Sequence, residues 1–155
     1  MSNITPVAIA FGSNLGDREA LLRDAVTALA PSIHNLRLSS MHDTVPVGMV
    51  GPQAMVLNAA AVGNTTLSAR QLLELLLATE DRFGRARPHA GAARSLDLDL
   101  ILYGDDVIDE SDLVVPHPRF RQRRFVLEPL VEVAADWKDP VTGRTVEELL
   151  RVLEG

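Results

Sequence analysis

Alternating leucine and aspartate near the middle of the chain constrain the fold more than any other feature. Because successive side chains of a β-strand point to opposite faces, the run from Leu96 to Tyr103 predicts a strand with all four of its leucines on one face. The other face begins with Asp97 and Asp99 and continues with Ile101 and Tyr103. A solvated face would not become apolar after two residues, so this face is predicted to form a pocket floor.

The two aspartates are candidate metal ligands. They are spaced roughly 7 Å apart along the predicted strand, and two like charges so placed repel each other unless a cation lies between them. Magnesium takes oxygen ligands and usually completes its coordination with substrate phosphates. An acidic pair can also simply solubilise an exposed sheet face, so Asp97 and Asp99 alone are a weak indication of a metal.

Arginine is concentrated in the centre of the chain, although the formal net charge is −6 and Lys138 is the only lysine. A negative net charge disfavours binding to nucleic acid. The planar fork of arginine matches phosphate oxygens, so the concentration predicts a discrete phosphate site, with a solvated surface as the alternative. The arginines concerned are Arg82, Arg85, Arg87, Arg94, Arg119, Arg121, Arg123 and Arg124.

Several classes of protein are disfavoured by composition. The chain has no cysteine, which excludes disulfides, thiolate zinc sites and cysteine nucleophiles. It has neither a run of roughly 20 apolar residues nor a basic N-terminus followed by an apolar run, so a cytoplasmic protein without membrane contact is expected. A length of 155 residues with 46% hydrophobic content predicts a single domain, residues 1–155, and a monomer is expected.

The remaining patterns predict helices and strands around this central strand. Further strands are predicted at residues 7–11, 36–40 and 56–62. Helices are predicted at residues 17–30, 68–84, 125–133 with an interruption at Pro129, and 145–153. The order strand, helix, strand, strand, helix, strand predicts helices on one face of the sheet, like a ferredoxin fold. The fold class is therefore α+β, a ferredoxin-like αβα sandwich with a largely antiparallel sheet.

Two loops bear on function. Residues 12–17, Gly-Ser-Asn-Leu-Gly-Asp, lack the Gly-Lys-Ser/Thr ending of a P-loop and the spacing of a dinucleotide fingerprint, so on their own they indicate only a strand-to-helix turn. Residues 88–93 have small side chains and no periodicity, which is typical of a mobile lid.

Six motifs in order resemble those of the hydroxymethyldihydropterin pyrophosphokinases, over about residues 7–134. They are Gly12-Ser13-Asn14-Leu15-Gly16, Thr44 with Pro46-Val47-Gly48, Leu57-Asn58-Ala59, Glu80 with Gly84-Arg85-Ala86-Arg87, Arg94-Ser95-Leu96-Asp97-Leu98-Asp99, and Val115-Pro116-His117-Pro118-Arg119 with Arg123 and Phe125-Val126-Leu127. The fifth and sixth are the most distinctive.

The resemblance implies a magnesium-dependent enzyme of folate biosynthesis that transfers the β,γ-diphosphate of ATP to 6-hydroxymethyl-7,8-dihydropterin and releases AMP. It implies that Asp97 and Asp99 hold two Mg²⁺ ions and that Arg85 and Arg94 flank a closing lid as catalytic residues. The implied ATP contacts are Glu80, Arg85, Arg87, Leu100, His117, Pro118 and Arg123. The implied pterin contacts are Thr44, Val45, Val47, Val56, Asn58 and Phe125.

The chain departs from the family pattern around the acceptor. Val56 stands where the family usually has an aromatic residue, the lid lacks a tryptophan, and His42 stands where tyrosine is common. A paralogous pyrophosphokinase acting on a different or modified pterin is therefore an alternative. A non-catalytic ferredoxin-like binding module and a two-metal phosphodiesterase are others. Release of AMP distinguishes the pyrophosphokinase from these two.

Overall fold

The computed structural model describes residues 4–14, 18–44, 56–84 and 96–155, and the structural statements below concern these residues. A five-stranded antiparallel sheet has the order β2-β4-β1-β5, and the short β3 pairs with β4. Its strands are β1 Thr5–Ser13, β2 His34–Leu38, β3 His42–Thr44, β4 Val56–Thr65 and β5 Leu96–Tyr103.

Four helices and a hairpin complete the fold. The helices are α1 Arg18–Leu29, α2 Ala69–Gly84, α3 Arg124–Ala134 and α4 Val146–Glu154. The hairpin pairs β6 Ile108–Glu110 with β7 Leu113–Val115, and a short 3₁₀ turn spans Phe120–Gln122. No helix in the described ranges is both long and apolar enough to cross a bilayer.

Helices cover both faces of the sheet. Val7, Ile9 and Phe11 of β1 pack with α1 and α2, whereas Ala8 and Ala10 pack with α3 and α4. The ferredoxin-like αβα class with a largely antiparallel sheet is confirmed, but the expectation of helices on one face is wrong. The reason is visible in β1, whose unbroken apolar run is typical of a strand that is buried on both sides.

A β-bulge changes which side chains of β5 share a face. Ala8 pairs with Leu102 but Ile9 pairs with Leu100, which leaves Ile101 as an extra residue. One extra residue reverses the alternation beyond it, so Leu102 joins Ile101 in the core beneath α3 and α4. The predicted single face of four leucines is therefore wrong at Leu102, while Asp97 and Asp99 remain on the predicted face.

The predicted interruption of α3 at Pro129 is also wrong. The helix runs continuously from Arg124 to Ala134 with Pro129 inside it. A proline removes one backbone hydrogen bond from a helix. We attribute the persistence of α3 through Pro129 to the burial of the proline ring. The predicted start of α4 is confirmed by a capping box between Thr145 and Glu148.

A buried aspartate anchors the chain just before α3. The Arg121 guanidinium donates to Asp139 through Nε at 2.5 Å and Nη2 at 3.0 Å, and Thr142 Oγ1 donates at 2.7 Å. The Asp139 side chain is fully buried. Burial alone would raise the pKa of Asp139, but the hydrogen bonds from Arg121 and Thr142 hold it below its usual value. Asp139 therefore fixes the segment that carries Arg123.

We expect Asp139→Asn to lower the free energy of unfolding by about 3 kcal/mol at pH 7, because it breaks a buried ion pair. A lowered carboxyl pKa stabilises the fold above the unfolded-state pKa of about 4, and this contribution is lost as the pH falls through the folded-state pKa. The difference between variant and wild type should therefore shrink between pH 5 and pH 3. Urea unfolding at both pH values measures it, with the exposed Asp136→Asn as control. A difference that does not change with pH would contradict the assignment.

Candidate functional site

A cavity of about 510 Å³ lies where β1, β4 and β5 meet the start of α3. It brings together six of the predicted site residues, namely Val56, Asn58, Asp97, Asp99, Arg123 and Phe125. The other residues that line it are Ala10, Phe11, Gly12, Ser13, Asn14 and Val126. Residues predicted to bind metal, phosphate and pterin therefore share one cavity.

The register of three strands builds the cavity floor. Gly12 of β1 pairs with Asn58 on one side and with Asp97 on the other. Neighbouring strands lie about 4.8 Å apart, so the backbones of Asn58 and Asp97 are separated by about 10 Å with the glycine between them. A Cβ at Gly12 would lie 3.7 Å from Asn58 Oδ1, 3.7 Å from Val56 Cγ1 and 3.8 Å from Asp97 Cβ. The missing side chain of Gly12 leaves the centre of the floor open.

The carboxylates form one end of this floor. Asp97 is exposed and Asp99 is partly buried, and neither forms an ion pair with a described residue. Burial and the charge of Asp97 raise the pKa of Asp99, while His117 and Arg123 oppose that shift. A like-charged pair with this raised pKa is suited to a divalent cation. No cluster of three or more acidic or histidine ligands occurs in the described ranges, so magnesium held here would take further oxygen ligands from substrate and water.

Cationic and hydrogen-bonding groups lie close to the carboxylates. The Arg123 guanidinium lies 5.4 Å from the centre of the Phe125 ring. His117 lies along the edge of β5, where its backbone N–H donates to the Ile101 carbonyl at 3.0 Å. The Arg119 backbone N–H donates to His117 Nδ1 at 3.1 Å, so a neutral ring carries its proton on Nε2. Burial lowers the pKa of His117 although Asp99 raises it, which favours a neutral Nε2–H donor.

The opposite end of the floor presents an oriented amide. Asn58 Nδ2 donates to Thr44 Oγ1 at 2.5 Å and to the Val56 carbonyl at 3.4 Å. Because a backbone carbonyl can only accept, this orientation leaves Asn58 Oδ1 as the group above Gly12. Phe125 is 40% exposed and lines the same cavity. The amide acceptor and the aromatic ring suit a flat heterocycle that carries N–H donors.

Other predicted residues lie elsewhere. Leu100 is buried in the core on the opposite face of the sheet, and Glu80 is buried with its Oε2 accepting from the Leu98 N–H at 2.7 Å. Pro118 is exposed beside His117. Thr44 is linked to the cavity by the hydrogen bond that its Oγ1 accepts from Asn58 Nδ2. Nucleotide contacts of Glu80, Leu100 and Pro118 stay predictions. Val45, Val47, Arg85, Arg87, Arg94 and the predicted lid lie outside the described residues.

Reasoning from the residues alone missed the end of β1. It interpreted Gly12, Ser13 and Asn14 as a turn, whereas all three line the cavity. Ser13 Oγ and Asn14 Oδ1 are buried without a hydrogen-bond partner among the described residues, and such unsatisfied atoms are uncommon. A glycine at the end of an apolar strand can mark the close approach of a ligand, and that indication was available in the sequence.

Comparison with known proteins gives a consistent result. The sequence profile of the family described as 7,8-dihydro-6-hydroxymethylpterin-pyrophosphokinase matches residues 8–135. A 2-amino-4-hydroxy-6-hydroxymethyldihydropteridine pyrophosphokinase from Bacillus subtilis is 39% identical over 155 residues, covering 98% of this chain and 91% of its own. The protein of the same name from Synechocystis is 38% identical over 148 residues, covering 94% of this chain and 75% of its own.

A solved structure matches the fold. The crystal structure of Plasmodium falciparum HPPK-DHPS wild type superimposes with a TM-score of 0.78 over 98% of this chain, at 12% sequence identity. This chain spans only 45% of that longer chain. At this level of identity the match supports the ferredoxin-like α+β fold alone.

Proposed function

This chain belongs to the 7,8-dihydro-6-hydroxymethylpterin-pyrophosphokinase family, and on that premise we propose which of its residues carry out the reaction. It is an ATP-dependent pyrophosphokinase of folate biosynthesis that transfers diphosphate to 6-hydroxymethyl-7,8-dihydropterin. The acceptor hydroxyl oxygen attacks the β-phosphorus of ATP, and the bond from that phosphorus to the α–β bridging oxygen breaks. AMP leaves with the bridging oxygen, and the hydroxyl proton is released.

Asp97 and Asp99 are proposed to hold magnesium, in the two-ion arrangement expected from the family. Magnesium bound there would supply positive charge to the phosphate oxygens. Arg123 lies near Asp99, and it would bind the same phosphate chain as a fixed cation. His117 would donate from Nε2 to a phosphate oxygen without adding charge of its own. Catalysis of phosphoryl transfer depends mainly on charged and hydrogen-bonding groups that are already in position to stabilise the transition state.

The acceptor is proposed to lie over Gly12. Asn58 Oδ1 would accept from an N–H of the pterin, and Phe125 would pack against the ring. A pterin placed there extends along the floor from Asn58 toward Asp97, so its hydroxymethyl group points at the metal end. Arg85, Arg87 and Arg94 are proposed to complete the phosphate site.

One observation carries this proposal: Asn58, Gly12 and Asp97 form a single row across three strands. The amide proposed to bind the acceptor and the carboxylate proposed to bind magnesium are thus about 10 Å apart across the sheet, which supports one small molecule reaching both. Incubation of the protein with ATP, magnesium and 6-hydroxymethyl-7,8-dihydropterin should yield AMP and the pterin diphosphate in equal amounts. Formation of ADP or free phosphate in place of AMP would contradict the proposal.

Val56 leaves room for a second candidate, a pyrophosphokinase acting on a modified pterin. This aliphatic side chain lines the cavity beside Asn58, at a position where the family pattern has an aromatic ring. A bulkier acceptor would use the space that such a ring would occupy.

We expect Val56→Tyr to lower the KM for the unmodified pterin by about 5-fold, because an aromatic contact contributes roughly 1 kcal/mol. Val56→Leu, which adds bulk without an aromatic ring, is the control. Steady-state kinetics at saturating ATP measures both. An unchanged or higher KM with Val56→Tyr would favour the modified acceptor.

A further inference from the structure

A carboxylate outside the cavity ties α3 to the edge strand β3. Glu132 Oε1 accepts from the Ser40 backbone N–H at 2.8 Å, and its Oε2 accepts from Ser40 Oγ at 2.7 Å. His42 Nε2 lies 2.6 Å from the same Oε2. Burial favours a raised pKa for Glu132, but the hydrogen bonds from Ser40 and His42 outweigh it and keep the pKa below its usual value. An ionised carboxylate therefore holds three donors across a separation of about 90 residues in sequence.

These contacts do not form a nucleophilic triad. A Ser-His-acid triad requires the serine and the acid on opposite nitrogens of the imidazole ring. Here Ser40 Oγ at 3.2 Å and Glu132 at 2.6 Å both approach the same nitrogen, Nε2. Glu132, Ser40 and His42 therefore form a structural link between α3 and β3, and not a second catalytic centre.

Both segments joined by this link lead into the acceptor end of the cavity. His42 pairs with Asn58 in the sheet, and Thr44, at the other end of β3, accepts the hydrogen bond that orients the Asn58 amide. On the helix, Glu132 follows Phe125 by seven residues, which is about two turns, so both lie on the same side of α3. The distance between β3 and α3 thus sets the position of Asn58 relative to Phe125.

We propose that Glu132 is a positioning residue for the acceptor: by binding Ser40 and His42 it fixes the width of the pterin-binding end of the cavity. The inference rests on the proposed function, and it deepens that function by assigning a role to a residue that touches no substrate. In the sheet, His42 pairs with Asn58, and Gly12 lies between Asn58 and Asp97. The link is therefore next to the pterin end of the cavity, and we expect its loss to affect pterin binding more than ATP binding.

The kinetic test is Glu132→Ala, which removes all three acceptor contacts while keeping a good helix former. We expect the KM for the pterin to rise about 10-fold, which is about 1.4 kcal/mol, because hydrogen bonds to a charged group are stronger than those between neutral groups. The KM for ATP should change less than 2-fold. Glu132→Gln, which keeps an acceptor for the Ser40 N–H, should give an intermediate KM. Glu128→Ala, one turn earlier on the same exposed helix surface, is the matched control.

A general loss of structure would raise both KM values or lower kcat alone, and either result would overturn the proposal. Equal pterin KM values for Glu132→Ala and wild type would also overturn it. His42→Ala combined with Glu132→Ala should be less than additive, because the two residues act through one contact.

Amide hydrogen exchange tests the contacts of Glu132 independently of the proposed function. In Glu132→Ala the amides of β3 should exchange at least 10-fold faster, whereas those of β1 and β5 should keep their wild-type rates. This readout needs no turnover. If the wild type released no AMP with the pterin, the proposed function would fail while the exchange data still tested the link. Unchanged exchange in β3 would show that Glu132 does not hold the strand.

Discussion

Replacement of Asp99 by asparagine is expected to lower kcat by about 1000-fold and, in the same protein, to raise the melting temperature measured without magnesium. The loss of activity follows because asparagine lacks the charge that holds a divalent cation against the phosphates. The gain in stability follows from the environment of Asp99, where burial and the neighbouring Asp97 carboxylate raise its pKa. A carboxylate with a raised pKa stabilises the fold only when protonated, and that stabilisation is lost as the pH rises through its folded-state pKa.

Thermal unfolding with and without magnesium separates the two effects. Magnesium should raise the melting temperature of the wild type, since a ligand that binds only the folded state stabilises it, and it should leave Asp99→Asn unchanged. Asp105→Asn, in the exposed turn that follows β5, is the control and should behave as wild type. An Asp99→Asn protein that kept activity, or that responded to magnesium like the wild type, would exclude this carboxylate as a ligand.

Replacement of Gly12 by valine should lower kcat/KM for the pterin by at least 100-fold with little change in stability. The position has open space above it: a Cβ would make ordinary contacts of 3.7 to 3.8 Å with Asn58, Val56 and Asp97. The two further methyl groups of valine would extend into the space assigned to the pterin. Valine also favours extended backbone, so β1 should tolerate the substitution.

Gly12→Ala is the graded control for this experiment. Its single methyl group would make only ordinary contacts of 3.7 to 3.8 Å, so we expect less than a 10-fold loss of kcat/KM. Binding of ATP with magnesium, measured by calorimetry, should weaken less than pterin binding in either variant, because the Asp97 atom nearest to a Cβ at Gly12 is its own Cβ, at 3.8 Å, and not a carboxylate oxygen. If Gly12→Val turned over the pterin normally, the acceptor would have to bind away from the row of Asn58, Gly12 and Asp97.

The sequence predicted several residues that the structure brings into one cavity, but it predicted their surroundings less well. The alternation in β5 correctly placed Asp97 and Asp99 on one face, because an uninterrupted strand keeps a period of two. The same alternation failed at Leu102, since a bulge depends on pairing with β1 and has no mark in β5 itself. The short β3 was not predicted, because three residues carry too little periodicity and acquire strand geometry only beside β4.

What the sequence by itself determined is the family and the sandwich of helices and antiparallel strands, and it also predicted the candidate ligands for metal and phosphate. These follow from local sequence patterns and from the order of the motifs. Both can be recognised without knowing which distant segments of the chain are in contact. Only the tertiary structure decided that Gly12 separates Asn58 from Asp97, that Leu100 and Glu80 lie away from the cavity, and that Glu132 joins β3 to α3. Each of these depends on strand register or on contact between segments far apart in sequence, and a one-residue shift of register would change all the neighbours of a side chain.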